Sequence, residues 1–273
     1  MSVKVGVLLC CGEDGLLEHC ESWQPIFCPL PAPSLMAVSG TKRAFLDNTE
    51  HLLWLGDQLF PVDGGVECLL LWHDHPLFLS GETDSLTLLE PSSGTPLFLA
   101  PAGIYPQDMC LLPDDTVAVC GGGAGVILLM HLPELQLIRR IQVPGSAQRI
   151  IPGGKWLYVL CTIEDDGLQS LLCRVDPRTC RYEPLYTLFG LPGALHINER
   201  GLWVSASESL YRFCPGEHRP MQVFPGFGLI RHIASRNSHL LLSDPIAGSL
   251  FLLKAGCMPR HLLDGDVGQA AFL

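Results

Sequence analysis

The strongest restriction on this chain is how seldom it runs free of glycine and proline. The longest stretch without either, 229–244, contains Arg-Asn-Ser, which reads as a turn. With 28 glycines and 22 prolines, there is room for short strands and little for helices. Between the breaks lie short apolar or alternating runs such as RAFLD, PLFLS, TVAVC and WLYVLC. Short strands at regular spacing mean a sandwich, a barrel or a propeller.

Internal periodicity decides among these. LPGALHINERGLWVSASESLYRF and FPGFGLIRHIASRNSHLLLSDPIAGSLFLL run in step. Each has a Pro-Gly turn, a strand, a polar turn, a second strand reaching a serine, and a third strand opening with Ser-Leu. The same frame fits VPGSAQRIIPGGKWLYVLCT with SLLCRVD, and PAGIYPQDMCLLPDDTVAVCGG with GVILLMH. More loosely it fits VDGGVECLLLWHDHPLFLSGE and LPAPSLMAVSGTKRAFLDNTE, and a fourth strand such as QLIRRIQV closes each unit. Taking Leu35, Glu67, Asp108, Arg149, His196, His232 and Ala270 as the first-strand column, the spacings are 32, 41, 41, 47, 36 and 38. Four-stranded units of this length are propeller blades. A four-stranded sheet has two apolar faces and cannot stand alone, whereas radial stacking buries both. That accounts for 48% apolar and only 16% charged residues.

The chain ends set the blade count. The last unit, DVGQAAFL, stops after its first strand, and the chain opens with VKVGVLLCCGED, GLLEHC and QPIFCPLP, which read as second, third and fourth strands. The expectation is one all-β domain over 1–273, a seven-bladed propeller whose closing blade combines 1–30 with 268–273. Closure of this kind removes exposed sheet edges.

The frame of Pro-Gly, inner strand, polar turn and a strand such as WLYVLCT resembles the YVTN-type, WD40-like seven-bladed β-propellers over essentially the whole chain. WLYVLC approximates the YVTN tetrapeptide, and no unit carries a Gly-His to Trp-Asp pair. The resemblance implies a fold and no function, since propellers host binding, scaffolding and unrelated chemistries.

A formal charge of −11 argues against a nucleic-acid partner, which demands a Lys/Arg surface. The apolar run near the N-terminus is short for an export signal, and no stretch approaches 18 apolar residues, so a cytoplasmic protein without a membrane partner is expected. Twelve cysteines at irregular spacing, with no CxxC pair, read as small buried hydrophobes. The second-strand column Asp47, Ser80, Cys120, Cys161, Ser205, Ser243 and Cys10 supports this, because cysteine alternates there with serine. Adjacent Cys10 and Cys11 fit a reduced pair better than a strained disulfide. No cofactor and no metal is expected, and the molecule reads as a monomer.

Propeller ligands gather where innermost strands enter the central channel. There the column offers Glu67, Asp108, Arg149, His196 and His232, with Gln107, Gln148, Arg231 and Gln269 as neighbours in register. The ring would have an acidic side and a side turning positive near pH 6 to 7 as histidine titrates. Arg149 with His196 or His232 could grip an anion while Glu67 or Asp108 accepts hydroxyls. The expected role is a non-catalytic binding or scaffolding module, recognising a small polar or anionic ligand or a protein partner at the channel mouth. The alternative is a lactonase-like hydrolase in which His196, His232 or Glu67 serves as general base and Arg149 stabilises an oxyanion. The same column also suits a plain solvated funnel.

Other motifs carry less. His73-Asp74-His75 falls in the turn between two strands and lacks a further metal ligand. Gly121 to Gly125 precedes a strand without a Gly-Lys-Ser/Thr, so it reads as a hairpin turn. Glu164-Asp165-Asp166 reads as a solvated acidic loop, and the five tryptophans as packing between blades.

Overall fold

The computed structural model describes residues 8–12, 15–19, 22–123, 125–164, 167–265 and 267–272. All regular elements among them are β-strands, and no helix is long and apolar enough to cross a membrane. The strands pair into four-stranded antiparallel sheets, the blades of an all-β propeller. Sheet I spans residues 35–61, sheet II 66–101, sheet III 106–142, sheet IV 146–189, sheet V 192–225 and sheet VI 232–264. Sheet VII pairs Gln269–Phe272 with Leu8–Gly12, Gly15–His19 and Trp23–Ile26, in a register running from Leu8 opposite Phe272 to Cys11 opposite Gln269.

In each sheet the first strand is innermost and touches the first strands of both neighbouring sheets, Gln269–Phe272 meeting His232–Arg236 on one side and Leu35–Ser39 on the other. Every inner strand starts at the face where the chain arrives from the preceding sheet, here the upper face. The turns that follow the first and third strands lie on the lower face. Contacts between lower turns fix neighbouring sheets to each other. Trp72 Nε1 donates to Asp115 Oδ1 at 2.9 Å, Arg200 Nη1 to the Ser238 carbonyl at 3.1 Å, and Lys42 pairs with Asp74 at 3.8 Å.

The apolar alternation along the strands places the core between sheets. Ala118, Cys120 and Ile127 of sheet III pack on Ile150, Val159 and Cys161 of sheet IV. Leu16 of sheet VII packs with Leu30, Met36 and Phe45 against sheet I. Each fully buried Leu or Phe contributes about 1.5–3 kcal/mol, and the clusters mix residues of adjacent sheets. A single sheet would forfeit the part of that burial its neighbour supplies. Trp203 is fully buried, with the guanidinium carbons of Arg200 and Arg212 5.2 and 5.8 Å from its ring centre.

The Pro-Gly punctuation has a steric cause. Gly145, between sheets III and IV, has φ +64°, and a Cβ there would lie 2.1 Å from the Thr162 carbonyl oxygen. The nine described cysteines are free thiols, and Cys120 and Cys161 are completely buried at corresponding places in consecutive sheets. The side chains of Cys10 and Cys11, and residues Asp165 and Asp166, lie outside the described set.

Candidate functional site

The inner strands of sheets II to V are irregular where they enter the channel. Each carries a β-bulge, between Val66 and Cys68, Pro106 and Asp108, Ala147 and Arg149, and Pro192 and Leu195. A bulge inserts an unpaired residue and re-aims its neighbours. Glu67 and Gln107 occupy the first two, Gln148 the third, and Gly193 with Ala194 the fourth. The inner strands of sheets VI, VII and I pair without interruption.

These strands enclose a cavity of about 350 Å³ in the upper channel. Glu67, Asp108, Arg149, Arg231 and His232 line it, with Gln107 and Gln269. Its apolar wall comes from Met36, Val38, Leu195, Ile233 and Ala270. A larger hollow of about 550 Å³ is lined by residues of sheets VII, I and II. Its ion pair, Lys42 with Asp74, is already satisfied internally.

Four of the five residues expected in the ring therefore meet; His196 does not. The Pro-Gly of sheet V is not the turn that its counterparts are. Gly190, with φ +86°, makes the turn, and Pro192-Gly193 lies within the inner strand. The frame consequently slips by two, and Ala194 and Leu195 line the cavity where His196 was expected. His196 sits deeper, opposite Trp203, with its Nε2 2.7 Å from Ser235 Oγ. Burial holds its pKa down at about 4.

The place vacated in sheet V is used by Arg149. Its Nε donates to the Gly193 carbonyl at 2.9 Å and its Nη1 to the Gln148 carbonyl at 2.8 Å. Gly193 has no room for a side chain, since a Cβ would lie 2.2 Å from Ser205 Oγ and 2.4 Å from the Ile230 carbonyl oxygen. Asp108 Oδ2 accepts the Ile150 amide at 3.0 Å. Burial raises the Asp108 pKa, opposed by Arg149 and by that amide. Glu67 is likewise raised by burial and opposed by Arg149 and Arg231.

His232 is held in one tautomer by the closing sheet. The Met36 amide donates to Gln269 Oε1 at 2.8 Å, which orients the Gln269 carboxamide. Its Nε2 must then donate to His232 Nδ1 at 3.2 Å, leaving the proton on His232 Nε2. Burial, followed by Arg149 and Arg231, lowers the His232 pKa to about 3. The expected histidine switch near pH 6 to 7 is thus corrected: both histidines are neutral there. The positive charge in the channel comes from two arginines.

Arg231 is the residue the column undervalued, standing immediately before the inner strand of sheet VI. Burial and Arg149 lower its pKa, while Glu67 and Asp244 oppose this. Among the described residues its guanidinium has no hydrogen bond and no ion pair within 4 Å; only its backbone amide is engaged, with the Ser243 carbonyl. The signal for it was present in sequence, as the Arg-His pair opening sheet VI.

No family model and no curated protein matches this chain. Solved structures do. A Lactobacillus plantarum protein is 9% identical over 99% of this chain and 100% of its own, with a TM-score of 0.76. Virginiamycin B lyase from Staphylococcus aureus is 12% identical, covering 84% of this chain and 83% of its own, at 0.68. Kuenenia stuttgartiensis hydrazine synthase is 13% identical, covering 85% and 79%, at 0.66. At such identities the likeness establishes the propeller fold alone.

Proposed function

We propose that this protein is a binding module whose channel mouth takes a small ligand carrying a carboxylate or phosphate group. The observation that carries this reading is Arg231, a guanidinium lining the channel cavity that makes no hydrogen bond to another described residue, with Glu67 the strongest acidic influence in the site. A half-buried guanidinium whose N–H groups lack acceptors is incompletely solvated, and an anion accepting two parallel N–H bonds relieves that cost. Arg149 supplies a second positive charge from a position fixed by two carbonyls. The Nε2–H of His232 adds a neutral donor, and Glu67 and Asp108 accept hydroxyl or amine protons from the rest of the ligand. The cavity suits a ligand of metabolite size. The paired ends of the chain support reading the fold as a circularly closed, seven-bladed propeller of the YVTN-like kind, and the free thiols suit a reducing compartment.

Calorimetric titration with a panel of small carboxylates and phosphates tests this reading. Arg231→Gln should weaken the best binder at least tenfold, about 1.4 kcal/mol, with little change in Tm. An anion that binds equally well to Arg231→Gln, or a panel with no binder, overturns the reading. Turnover of a lactone or ester panel that is lost in Glu67→Gln would make the site hydrolytic instead.

A further inference from the structure

The charge of this chain is segregated along its length. Residues 139–260 hold fourteen of the 17 lysines and arginines but nine of the 28 acids, a net of +5, while the remainder sums to −16. The propeller turns this linear asymmetry into a spatial one, because 146–264 forms three consecutive sheets, IV to VI.

Most of the cations in these sheets lie on the lower face. Lys155 is in the first lower turn of sheet IV, Arg178 in its second, and Arg219 in the second lower turn of sheet V. Arg236, Lys254 and Arg260 bound the lower turns of sheet VI, and all six are exposed. The acids on this side are Asp176, Glu183, Glu199 and Glu217, of which Glu183 is spanned by Arg174 at 2.7 Å and His218 at 3.3 Å. The opposite side of the same face is acidic. Asp57, Asp74, Asp114, Asp115 and Glu134 occupy lower turns of sheets I to III, all exposed. Its cations are Lys42, already paired with Asp74, Arg43, and Arg139, whose guanidinium is engaged by the Arg178 carbonyl across the boundary with sheet IV.

We propose that the lower face is a self-association surface whose partner is a second copy of this chain. A two-fold axis lying in the face, along the boundary between its halves, sets each basic half over the acidic half of the partner. One arrangement thereby matches both halves. A nucleic acid or other polyanion would match the basic half only and be repelled by the acidic half beside it. Exposed ion pairs contribute little singly, so the association is weak, steered by charge and sensitive to salt. The channel mouth opens on the other face and stays free.

Sedimentation velocity across a concentration series, at about 20 mM and about 500 mM salt, measures this association. The mass should double at low salt and return to the monomer at high salt. Two charge-reversed chains decide the geometry: Arg178→Glu with Arg219→Glu and Arg260→Glu, and separately Asp57→Lys with Asp114→Lys and Glu134→Lys. Each alone should stay monomeric at low salt, and an equal mixture should regain the doubled mass. That recovery also shows both variants to be folded. A wild-type chain that stays monomeric at low salt overturns the proposal, as does a dimer indifferent to both reversals. Monomers that instead bind a heparin column through the basic half would reassign that half to a polyanion.

Discussion

Acid should destabilise this propeller through His232 by an amount that can be worked out in advance. Burial and two arginines hold the native pKa at about 3, against an ordinary value of 6.5. A depressed native value means that the unfolded chain takes up the proton first, so stability rises with pH between the two values. The contribution is complete above pH 6.5 and is lost progressively as pH falls towards 3. Between pH 7 and pH 5 the loss is about 2 kcal/mol, from about 1.4 kcal/mol per unit over the interval below 6.5. This figure holds for any native pKa below about 4. Substituting His232→Gln keeps an acceptor for Gln269 Nε2 and removes the titration. The variant should be less stable at pH 7 by its packing cost alone, and that gap should narrow by about 2 kcal/mol at pH 5. Urea unfolding of both proteins at the two pH values measures it, and the difference of differences cancels every other titrating group. A gap of equal size at pH 7 and pH 5 would show that His232 is protonated as easily in the native state as in the unfolded chain, and the channel electrostatics derived above would be wrong.

Two further perturbations probe the fold and its link to the site. Gly193→Ala places a Cβ 2.2 Å from Ser205 Oγ and 2.4 Å from the Ile230 carbonyl oxygen. It should cost about 1–3 kcal/mol as overpacking and weaken anion binding by displacing the carbonyl that holds Arg149; an unchanged urea midpoint would contradict the close packing there. Removing 268–273 deletes the inner strand of sheet VII and its pairing with Leu8–Gly12. The thermal midpoint should fall clearly, and a truncated protein melting with the full-length one would refute the role of that strand.

The fold was legible because glycine and proline sit where the backbone requires them. Gly145 shows the requirement directly, with its positive φ and a carbonyl where a Cβ would go. Small residues at the second-strand column were legible for a similar reason: Ser80, Cys120, Cys161, Ser205 and Ser243 are all buried where neighbouring sheets approach closely. The site was read less well, and each error has a physical source. Pro192-Gly193 has the composition of a turn but lies in a strand, and the turn belongs to Gly190, so His196 was placed two residues too high. The ionisation of His232 depends on burial and on Arg149 and Arg231 beside it, which come from other parts of the chain. The tautomer depends on Gln269 and Met36, which are 37 and 233 residues distant from their partners in that chain of bonds. No local pattern encodes such contacts.

The bulges explain why polar groups collect on one arc of the channel. A regular inner strand alternates its side chains between the two faces of its sheet, both of which are packed against neighbours. A side chain directed into the channel must break that alternation, and a bulge does so at the cost of ladder hydrogen bonds. Four bulges fall in four consecutive inner strands, at the level of one cavity, and they carry or adjoin Glu67, Gln107, Asp108, Gln148 and Arg149. The three regular inner strands supply mainly apolar wall, with His232 braced by Gln269 and Arg231 above it. An inner strand can form its blade without a bulge, as sheets VI, VII and I demonstrate. Their concentration at the level of one cavity is therefore tied to the cavity rather than to the architecture, which makes this upper arc, and not the larger hollow outside, the place where the chain departs from its own repeat.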